Sequence, residues 1–475
     1  MVFGEIVLVV ASGLLVAILL RAVAERIAVP AAALFLVAAA IASDVSSSLK
    51  EALSFEAVER IAVVALIVIL FDGGLHIGWR RFRASAVPIL SLGVVGTFAT
   101  AGLVAVAAHA MLDVSWTTAG LLGAAVAPTD PAVVFSVLGN REIRGRTGTV
   151  LEGESGANDP VGIALMIGMI EFATSDDGSM WGVAEEFAIE MVVGLAVGIA
   201  GWRILLPVMR RVPLPEPTLH PLRVLAAAGA IYGAASVLHG SGFIAVFVAG
   251  VLLGDEALPR KGEIESFLAG LSSLAEITVF VGLGLTIEVA SLDDENVWRD
   301  GLLIALVLTF VVRPLVVGAL LLPVRLRWGE RLFMMWAGLK GAVPILLAAL
   351  AVLGQVDERN RLYGIVFVVV LFSVVVQGTL VPFVARWLGV PMRTVDYEAA
   401  GVQLFVVRDG AFASGKPIRE LPLGERAWVG VVVRDGKPMY IAGDTVLVAG
   451  DEVHVWSEPS DVPPLHRIFE GPGSA

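Results

Sequence analysis

Glu154-Ser-Gly-Ala-Asn-Asp159-Pro160 leads directly into an apolar run from Val161 to Phe172. These seven residues place two carboxylates and an amide next to a stretch that is otherwise hydrophobic. Ionisable groups at membrane depth are costly, and where they occur they usually line a path for ions or protons. The composition and pattern of the rest of the chain indicate whether this stretch lies in a membrane.

The composition is that of a polytopic membrane protein. Of the 475 residues, 57% are hydrophobic and only 16% are charged, whereas soluble domains carry about 25% charged residues. Apolar runs long enough to span a bilayer recur from Val2 to about Trp387 and then stop. Glu5 precedes the first run and no cleavage site is obvious, so we interpret this run as a retained span.

Metal chemistry based on thiolate or imidazole is not indicated. The chain has no cysteine and its six histidines lack the spacing of a ligand set. A site built from carboxylates suits an alkali cation better. We therefore expect no cofactor and no transition-metal site.

Thirteen transmembrane helices are predicted. Their ranges are 3–20, 28–43, 57–77, 86–111, 117–139, 147–173, 186–209, 221–238, 241–255, 265–288, 300–323, 330–353 and 361–388. The loops between them alternate in charge. One set is basic, around Arg21, Arg80, Arg141, Arg210, Arg260, Arg325 and Arg386; the other is mainly acidic, around Asp113, Asp176 and Asp293. Basic loops face the cytoplasm, which predicts the N-terminus outside and the C-terminus inside.

The character of the chain changes after the last apolar run. Strands are predicted at 401–407, 428–433, 446–448 and 452–456, with turns at Arg434-Asp-Gly436 and Ala449-Gly-Asp451. We therefore divide the chain into a membrane domain, 1–392, and a small cytoplasmic α/β domain, 393–475. A domain of this size is near the lower limit for independent folding, and pairing with a second copy would help it bury a core.

Two of the predicted spans contain helix breakers. Ala127-Pro-Thr-Asp-Pro131 interrupts span five, and Gly338-Leu-Lys-Gly-Ala-Val-Pro344 interrupts span twelve. If span seven is a linker, spans 1–6 and 8–13 form two six-helix halves, and each break falls in the fifth span of its half. Proline also occurs in ordinary membrane helices, but two breaks in register predict a secondary transporter built from inverted repeats.

Asp159 is the carboxylate best suited to the chemistry of such a transporter. One buried carboxylate can hold a proton or a small cation, but not both, and this competition is sufficient for exchange. Thr129, Ser155 and carbonyls freed by the break in span five could supply neutral oxygens to K⁺ or Na⁺. Asp130 could bind the ion directly or polarise the half-helix ends.

Other charged residues in the spans are assigned supporting roles. Glu154 lies about 140° around the helix from Asp159, so we predict that it pairs with Lys340 of the second break. A proton-carrying Lys340 is the alternative. Arg313 is predicted to be structural, with a carboxylate or helix C-terminal carbonyls as its partner, and Glu276 to belong to an ion pair.

Asp72 lies near the predicted cytoplasmic end of span three. Its carboxylate is either part of a cytoplasmic ion pathway or an interfacial helix cap. The sequence alone leaves both interpretations open.

The motifs 127–131, 154–160 and 338–344 together resemble the NhaP-type branch of the monovalent cation:proton antiporters over about residues 1–390. The resemblance implies a thirteen-span fold with a dimerisation half, a six-helix core and two broken helices that cross. It also implies that Asp159 binds cation or proton, that Thr129, Asp130 and Ser155 assist the ion, and that Asn158 marks a branch that is usually electroneutral.

In that family the glutamate matching Glu154 pairs with a basic residue of the second broken helix. Lys340 stands where this branch commonly has arginine, so the charge is kept but the bidentate fork is lost.

The tail from Gly401 to Trp456 is similar to the TrkA-C (RCK-C) module of potassium channels and transporters. The similarity rests on its short turns, which are Leu421-Pro-Leu423, Arg434-Asp-Gly436, Gly443-Asp-Thr445 and Gly450-Asp451. It implies a dimeric domain that senses an ion or a nucleotide such as a cyclic dinucleotide, and it favours K⁺ as the transported ion.

We therefore predict a homodimeric antiporter of the bacterial inner membrane, surrounded by lipid, that exchanges K⁺ or Na⁺ for protons by alternating access at Asp159. A cation channel gated by the tail is the alternative, although no repeated filter sequence is present. No Ser/His pair or zinc signature indicates an enzyme, and nothing indicates nucleic-acid binding. The choice between K⁺ and Na⁺, the stoichiometry, the regulatory ligand and the direction of flux are not readable from the sequence.

Overall fold

The computed structural model describes residues 3–27, 29–45, 54–138, 141–143, 145–175, 180–287, 292, 296–394, 401–423, 427–434, 436–457 and 462–471. The chain divides into two compact units, Met1–Arg393 and Thr394–Ala475. Each unit has its own cluster of buried hydrophobic side chains.

The first unit is helical. In chain order its α-helices are α1 Phe3–Ile27, α2 Ala31–Val45, α3 Phe55–Ala84, α4 Ala86–Leu90, α5 Thr97–Leu112, α6 Trp116–Val126, α7 Pro131–Leu138, α8 Arg146–Thr174, α9 Met180–Arg211, α10 Leu219–Val237, α11 Gly242–Gly254, α12 Lys261–Leu285, α13 Val297–Val307, α14 Arg313–Leu320, α15 Trp328–Trp336, α16 Ala342–Leu353, α17 Arg359–Phe372 and α18 Thr379–Trp387. Two short strands follow, β1 Arg141–Ile143 and β2 Met392–Thr394, and β2 extends one residue past the boundary between the units.

Within the described residues, seven helical stretches are long and apolar enough to cross a membrane, judged by length and composition. They include continuous stretches that join two of the helices above, such as Ala86–Leu112 and Arg359–Trp387. Four shorter apolar helices accompany them. The unit is therefore a mostly helical, multi-pass bundle.

Three of these stretches contain a π-helical turn instead of a continuous α-helix. The turns lie at Ser91–Gly96 between α4 and α5, at Leu308–Val312 between α13 and α14, and at Ser373–Gly378 between α17 and α18. π-helical turns are rare in proteins, and those that occur are often found at functional sites. Two other helical pairs, α6–α7 and α15–α16, are separated by unwound backbone at residues 127–130 and 337–341.

Glycine lets the helices of the bundle pack closely. A Cβ atom added to Gly74 of α3 would lie 2.6 Å from the carbonyl oxygen of Phe247, and one added to Gly250 of α11 would lie 2.5 Å from that of Phe71. Small residues at such contacts are characteristic of helix association in membranes, because they let the two backbones approach.

The second unit is a four-stranded antiparallel sheet with a helix that packs against its first strand. Its strands are β3 Gly401–Val406, β4 Trp428–Arg434, β5 Lys437–Met439 and β6 Glu452–Ser457, in the order β3-β6-β4-β5, and its helix is α19 Val462–Phe469. Three predicted strands match β3, β4 and β6. The predicted strand 446–448 is wrong, since only an isolated bridge from Val446 to Pro417 forms there.

An ion pair between a partly exposed arginine and a buried aspartate joins two turns of this unit. The Arg434 guanidinium donates from Nε to Asp451 Oδ1 and from Nη2 to Oδ2, both at 2.7 Å. The Asp451 side chain is fully buried and also accepts a hydrogen bond from the Val448 amide. The hydrogen bonds from Arg434 are the main reason that the pKa of Asp451 lies below its ordinary value of 3.8.

The lowered pKa of Asp451 predicts how stability depends on pH. Because the ionised form is favoured in the folded state, its contribution is complete above pH about 5 and is lost as the pH falls through the lowered pKa. We expect Asp451→Asn to destabilise the unit by about 2 kcal/mol at neutral pH, the usual loss for hydrogen bonds to a charged group. Hydrogen exchange of the β4 and β6 amides in the full chain measures this, with exposed Asp444→Asn as the control. A difference between Asp451→Asn and wild type that persists unchanged below pH about 3 would contradict it.

Candidate functional site

The two unwound segments lie in contact with each other. The Asp130 amide donates to the carbonyl oxygen of Leu339 at 2.8 Å. A Cβ atom added to Gly341 would lie 1.9 Å from the Asp130 carboxylate, so only glycine leaves room for this approach. The segment at 127–130 also meets α8, since a Cβ on Gly162 would lie 2.3 Å from the Pro128 ring. Backbone freed from helices at this depth is tolerated where it is buried or lines a cavity.

Asp130 is the cap of a half-helix. Its Oδ1 accepts a hydrogen bond of 2.8 Å from the Ala132 amide, and Pro131 begins α7. A carboxylate at this position satisfies an unpaired amide and complements the positive end of the helix dipole. Of the two roles considered for Asp130, this geometry matches polarisation of the half-helix end.

Asp159 lies on α8 next to the unwound segment and is buried. Ser155, one turn earlier on the same helix, is also buried. Asn158 donates from Nδ2 to Thr129 Oγ1 at 2.8 Å, which ties α8 to the break. The structure thus brings Thr129, Ser155, Asn158 and Asp159 together.

Two oxygens of this group have no hydrogen-bond partner among the described residues. They are Asp159 Oδ1 and Asn158 Oδ1, and both atoms are buried. Nearly all buried polar atoms in proteins are paired, so an unpaired acceptor calls for a specific explanation. Carboxylate, amide and hydroxyl oxygens are the donors that hard cations prefer, so these residues are the candidates for binding an alkali cation or a proton.

The predicted pair between Glu154 and Lys340 is wrong. Glu154 instead forms a two-pronged ion pair with Arg313, with Nη1–Oε1 at 2.5 Å and Nη2–Oε2 at 3.1 Å. Both side chains are buried. The planar guanidinium matches a carboxylate in a way that an ammonium does not. Arg313 begins α14, directly after the π-turn Leu308–Val312.

Lys340 binds the other broken helix. Its Nζ donates to the carbonyl oxygens of Ala127 and Pro128, both at 2.9 Å, and only 2% of the residue is exposed. These are two of the freed carbonyls that the sequence offered to the cation. The charges that act on Lys340 are those of Arg313, Glu154 and Asp159.

A series of hydrogen bonds through two buried polar side chains, which the sequence analysis did not predict, anchors the second unwound segment. The Lys340 amide donates to Ser373 Oγ at 2.8 Å, and Ser373 Oγ donates to Gln377 Oε1 at 3.1 Å. Gln377 Nε2 donates in turn to the Trp336 carbonyl. Both side chains belong to the π-turn Ser373–Gly378. The sequence could have indicated them, because they are polar residues within an otherwise apolar span.

Two residues with predicted supporting roles, Asp72 and Glu276, lie outside the group around Asp159. Asp72 is buried on α3, and its Oδ1 is 3.2 Å from Nδ1 of His76 on the same helix. Glu276 has no ion-pair partner within 4.0 Å in the part of the chain that the structure describes, and the charges acting on it are those of Asp130 and Arg21. A pathway role for Asp72 stays a prediction.

Comparison with known proteins places this arrangement in a family. Residues 8–387 match the family model described as "Sodium/hydrogen exchanger, transmembrane". The chain belongs to the sodium/hydrogen exchanger family. The matched region contains both unwound segments, Asp159 and the Glu154–Arg313 pair.

Curated relatives of this exchanger are named as antiporters. The K(+)/H(+) antiporter NhaP of Alkalimonas amylolytica is 30% identical over 99% of this chain and 84% of the relative. The K(+)/H(+) antiporter NhaP2 of Shewanella sp. (strain ANA-3) is 29% identical over 96% of this chain and 81% of its own. The Na(+)/H(+) antiporter NhaH of Halobacillus aidingensis is 28% identical over 68% of this chain and 81% of its own.

Among solved structures, the sodium proton antiporter MjNhaP1 of Methanocaldococcus jannaschii superposes with a TM-score of 0.69 at 24% identity. The match covers 80% of this chain and 100% of that one. This similarity shows a shared fold. Together the comparisons show that the exchanger is a multi-pass cation/proton antiporter of the NhaP type.

Proposed function

We propose that this exchanger swaps one K⁺ or Na⁺ for one proton at Asp159 by alternating access. The observation that carries the proposal is the buried Asp159 Oδ1, which lies beside the contact of the two unwound segments and has no hydrogen-bond partner in the described part of the chain. Asn158 Oδ1, Thr129 Oγ1 and Ser155 Oγ are the neutral ligands of the cation. A proton on the carboxylate removes the charge that holds the cation, so the two substrates exclude each other.

The charges around Asp159 support a one-for-one exchange. Glu154 and Arg313 neutralise each other in their ion pair. The charges that act on Asp159 are those of Asp130 and Lys340. Asp130, Asp159 and Lys340 together carry a net charge of −1, so one bound proton or one bound alkali cation brings the group to neutrality. Uncompensated buried charge is costly, so either one proton or one cation is expected in every stable state.

The arrangement of the helices supports the proposed thirteen-span fold of inverted six-helix halves. The breaks at 127–130 and 337–341 fall in the fifth span of each half, and the π-turns Ser91–Gly96 and Leu308–Val312 fall in the fourth. Matching irregularities in the two halves are expected of inverted repeats. Alternating access then corresponds to rocking of the core helices around the crossing point.

The remaining features of the proposal rest on charge patterning and resemblance. Basic loops favour a cytoplasmic C-terminus and an extracellular N-terminus in the bacterial inner membrane. The small sheet of the second unit is proposed to be an RCK-C-type regulatory domain of a homodimer, with an ion or a cyclic dinucleotide as its ligand. The K(+)/H(+) antiporters among the relatives favour K⁺.

Reconstituted vesicles test this function. Purified protein in proteoliposomes should dequench a pH-sensitive dye when K⁺ or Na⁺ is added outside, and the rate should not depend on membrane potential. A truncation that removes residues 395–475 should alter the cation dependence but leave exchange in place. Currents far above carrier turnover would instead favour the alternative of a channel gated by the tail.

A further inference from the structure

The Lys340 ammonium lies at a place where a cation could bind. It contacts the Ala127 and Pro128 carbonyl oxygens, which follow directly after α6, and it is almost completely buried. The last carbonyls of a helix have no partner within the helix and carry the negative end of its dipole. Of the charged groups that act on the ammonium, Asp159 and Glu154 attract it and Arg313 repels it.

Main-chain carbonyl oxygens are the ligands with which proteins replace the hydration shell of an alkali ion. An ammonium group and an alkali cation are both compact single charges that accept the same oxygen neighbours. Two carbonyls at 2.9 Å, held by a break in the helix, therefore form a partial coordination shell whose occupant is tethered to the chain.

We propose that the Lys340 ammonium is a resident cation, which fills an alkali-ion position made by the Ala127 and Pro128 carbonyls and so limits the exchanger to one mobile cation per cycle. This inference rests on the proposed function, because it takes Asp159 as the mobile site. An arginine could not fill the position in the same way, since its charge is spread over a planar fork. Loss of the Lys340 charge leaves two carboxylates to be balanced by two mobile charges.

The first test isolates this position from Asp159. The double variant Asp159→Asn, Lys340→Met lacks the proposed mobile site and the tethered charge. Its thermal unfolding in detergent is compared with that of Asp159→Asn alone, in K⁺, Rb⁺, methylammonium or choline. We expect the first three ions to raise the Tm of the double variant by about 3 °C and choline to have no effect. Asp159→Asn alone should show no shift. A folded double variant that responds to none of the ions overturns the proposal.

The Lys340→Met variant alone could fail to fold, so Lys340→Gln and the buffer ion are varied as well. Recovery of folded protein in K⁺ but not in choline supports the proposal, because the ion then replaces the ammonium. If neither variant is recovered in K⁺, Rb⁺ or methylammonium, the proposal is overturned, since the carbonyls should accept these ions.

The second test counts the cations bound per protomer, a quantity that a purely structural lysine would not change. Equilibrium dialysis of the purified protein against radioactive Rb⁺, at saturating Rb⁺ and alkaline pH, should give about one bound Rb⁺ for the wild type. With Lys340→Met or Lys340→Gln, we expect about two, because both carboxylates must then be balanced by mobile cations. One bound Rb⁺ in a folded variant overturns the inference. Loss of exchange in the wild type would instead defeat the proposed function, and the first test would still stand.

Discussion

Asparagine in place of Asp159 is expected to lower cation/proton exchange in proteoliposomes by more than about 100-fold. The substitution keeps the volume of the side chain but removes the only charge that the proposed site offers to a cation or a proton. Loss of one charge from a desolvated pair costs about 3 to 5 kcal/mol, which corresponds to that factor or more. The assay is dequenching of a pH dye after a step in K⁺ or Na⁺.

The matched control for Asp159→Asn is Asp113→Asn, the same chemical change at an exposed residue between α5 and α6. Asp113→Asn should exchange like the wild type. Thermal unfolding should show that Asp159→Asn is folded, because the altered carboxylate oxygen has no hydrogen-bond partner to lose among the described residues. Exchange by Asp159→Asn that keeps the wild-type pH dependence would remove Asp159 from the mechanism.

Breaking the Glu154–Arg313 pair should give the largest loss of stability. Glu154→Gln or Arg313→Met leaves one buried charge without its partner, and we expect each to destabilise the membrane unit by about 4 kcal/mol. The double variant should be more stable than the sum of the single losses, with a coupling energy of about 1 to 3 kcal/mol. Thermal unfolding in detergent measures all three.

The structure also predicts that the effects of substituting Glu154 and Lys340 on stability are independent of each other. Glu154→Gln combined with Lys340→Met should give nearly additive losses, because Lys340 is bonded to the Ala127 and Pro128 carbonyls instead of Glu154. Additive losses for Glu154 with Arg313, or strong coupling of Glu154 with Lys340, would reverse the assignment of the ion pair.

The sequence predicted a Glu154–Lys340 pair, whereas the structure has a Glu154–Arg313 pair, and the difference shows what the sequence alone could not determine. Helical spacing indicated that Glu154 faces away from Asp159 and needs a cation. It did not indicate which cation, because Arg313 and Lys340 are both distant in sequence and both lie in spans of the second half. The choice depends on the π-turn Leu308–Val312, which precedes Arg313, and on the carbonyls freed at Ala127 and Pro128.

The sequence predicted local backbone structure better than it predicted contacts between distant segments. The prolines of 127–131 and the Gly/Pro pattern of 338–344 predicted unwound backbone, and the structure has it at both places. In the second unit, alternating residues predicted β3, β4 and β6. Ser373 and Gln377 were missed because their role depends on a neighbouring segment, 337–341, that their own span does not reveal.

Proton release on cation binding tests the central claim most directly. Weakly buffered protein in detergent is titrated with K⁺ and with Na⁺ over a series of pH values, while bound cation and released protons are measured together. At pH values where Asp159 begins protonated, we expect about one proton released per bound cation, and none from Asp159→Asn. Cation binding at full stoichiometry without proton release at any pH, or equal release from Asp159→Asn, would contradict competition at this carboxylate.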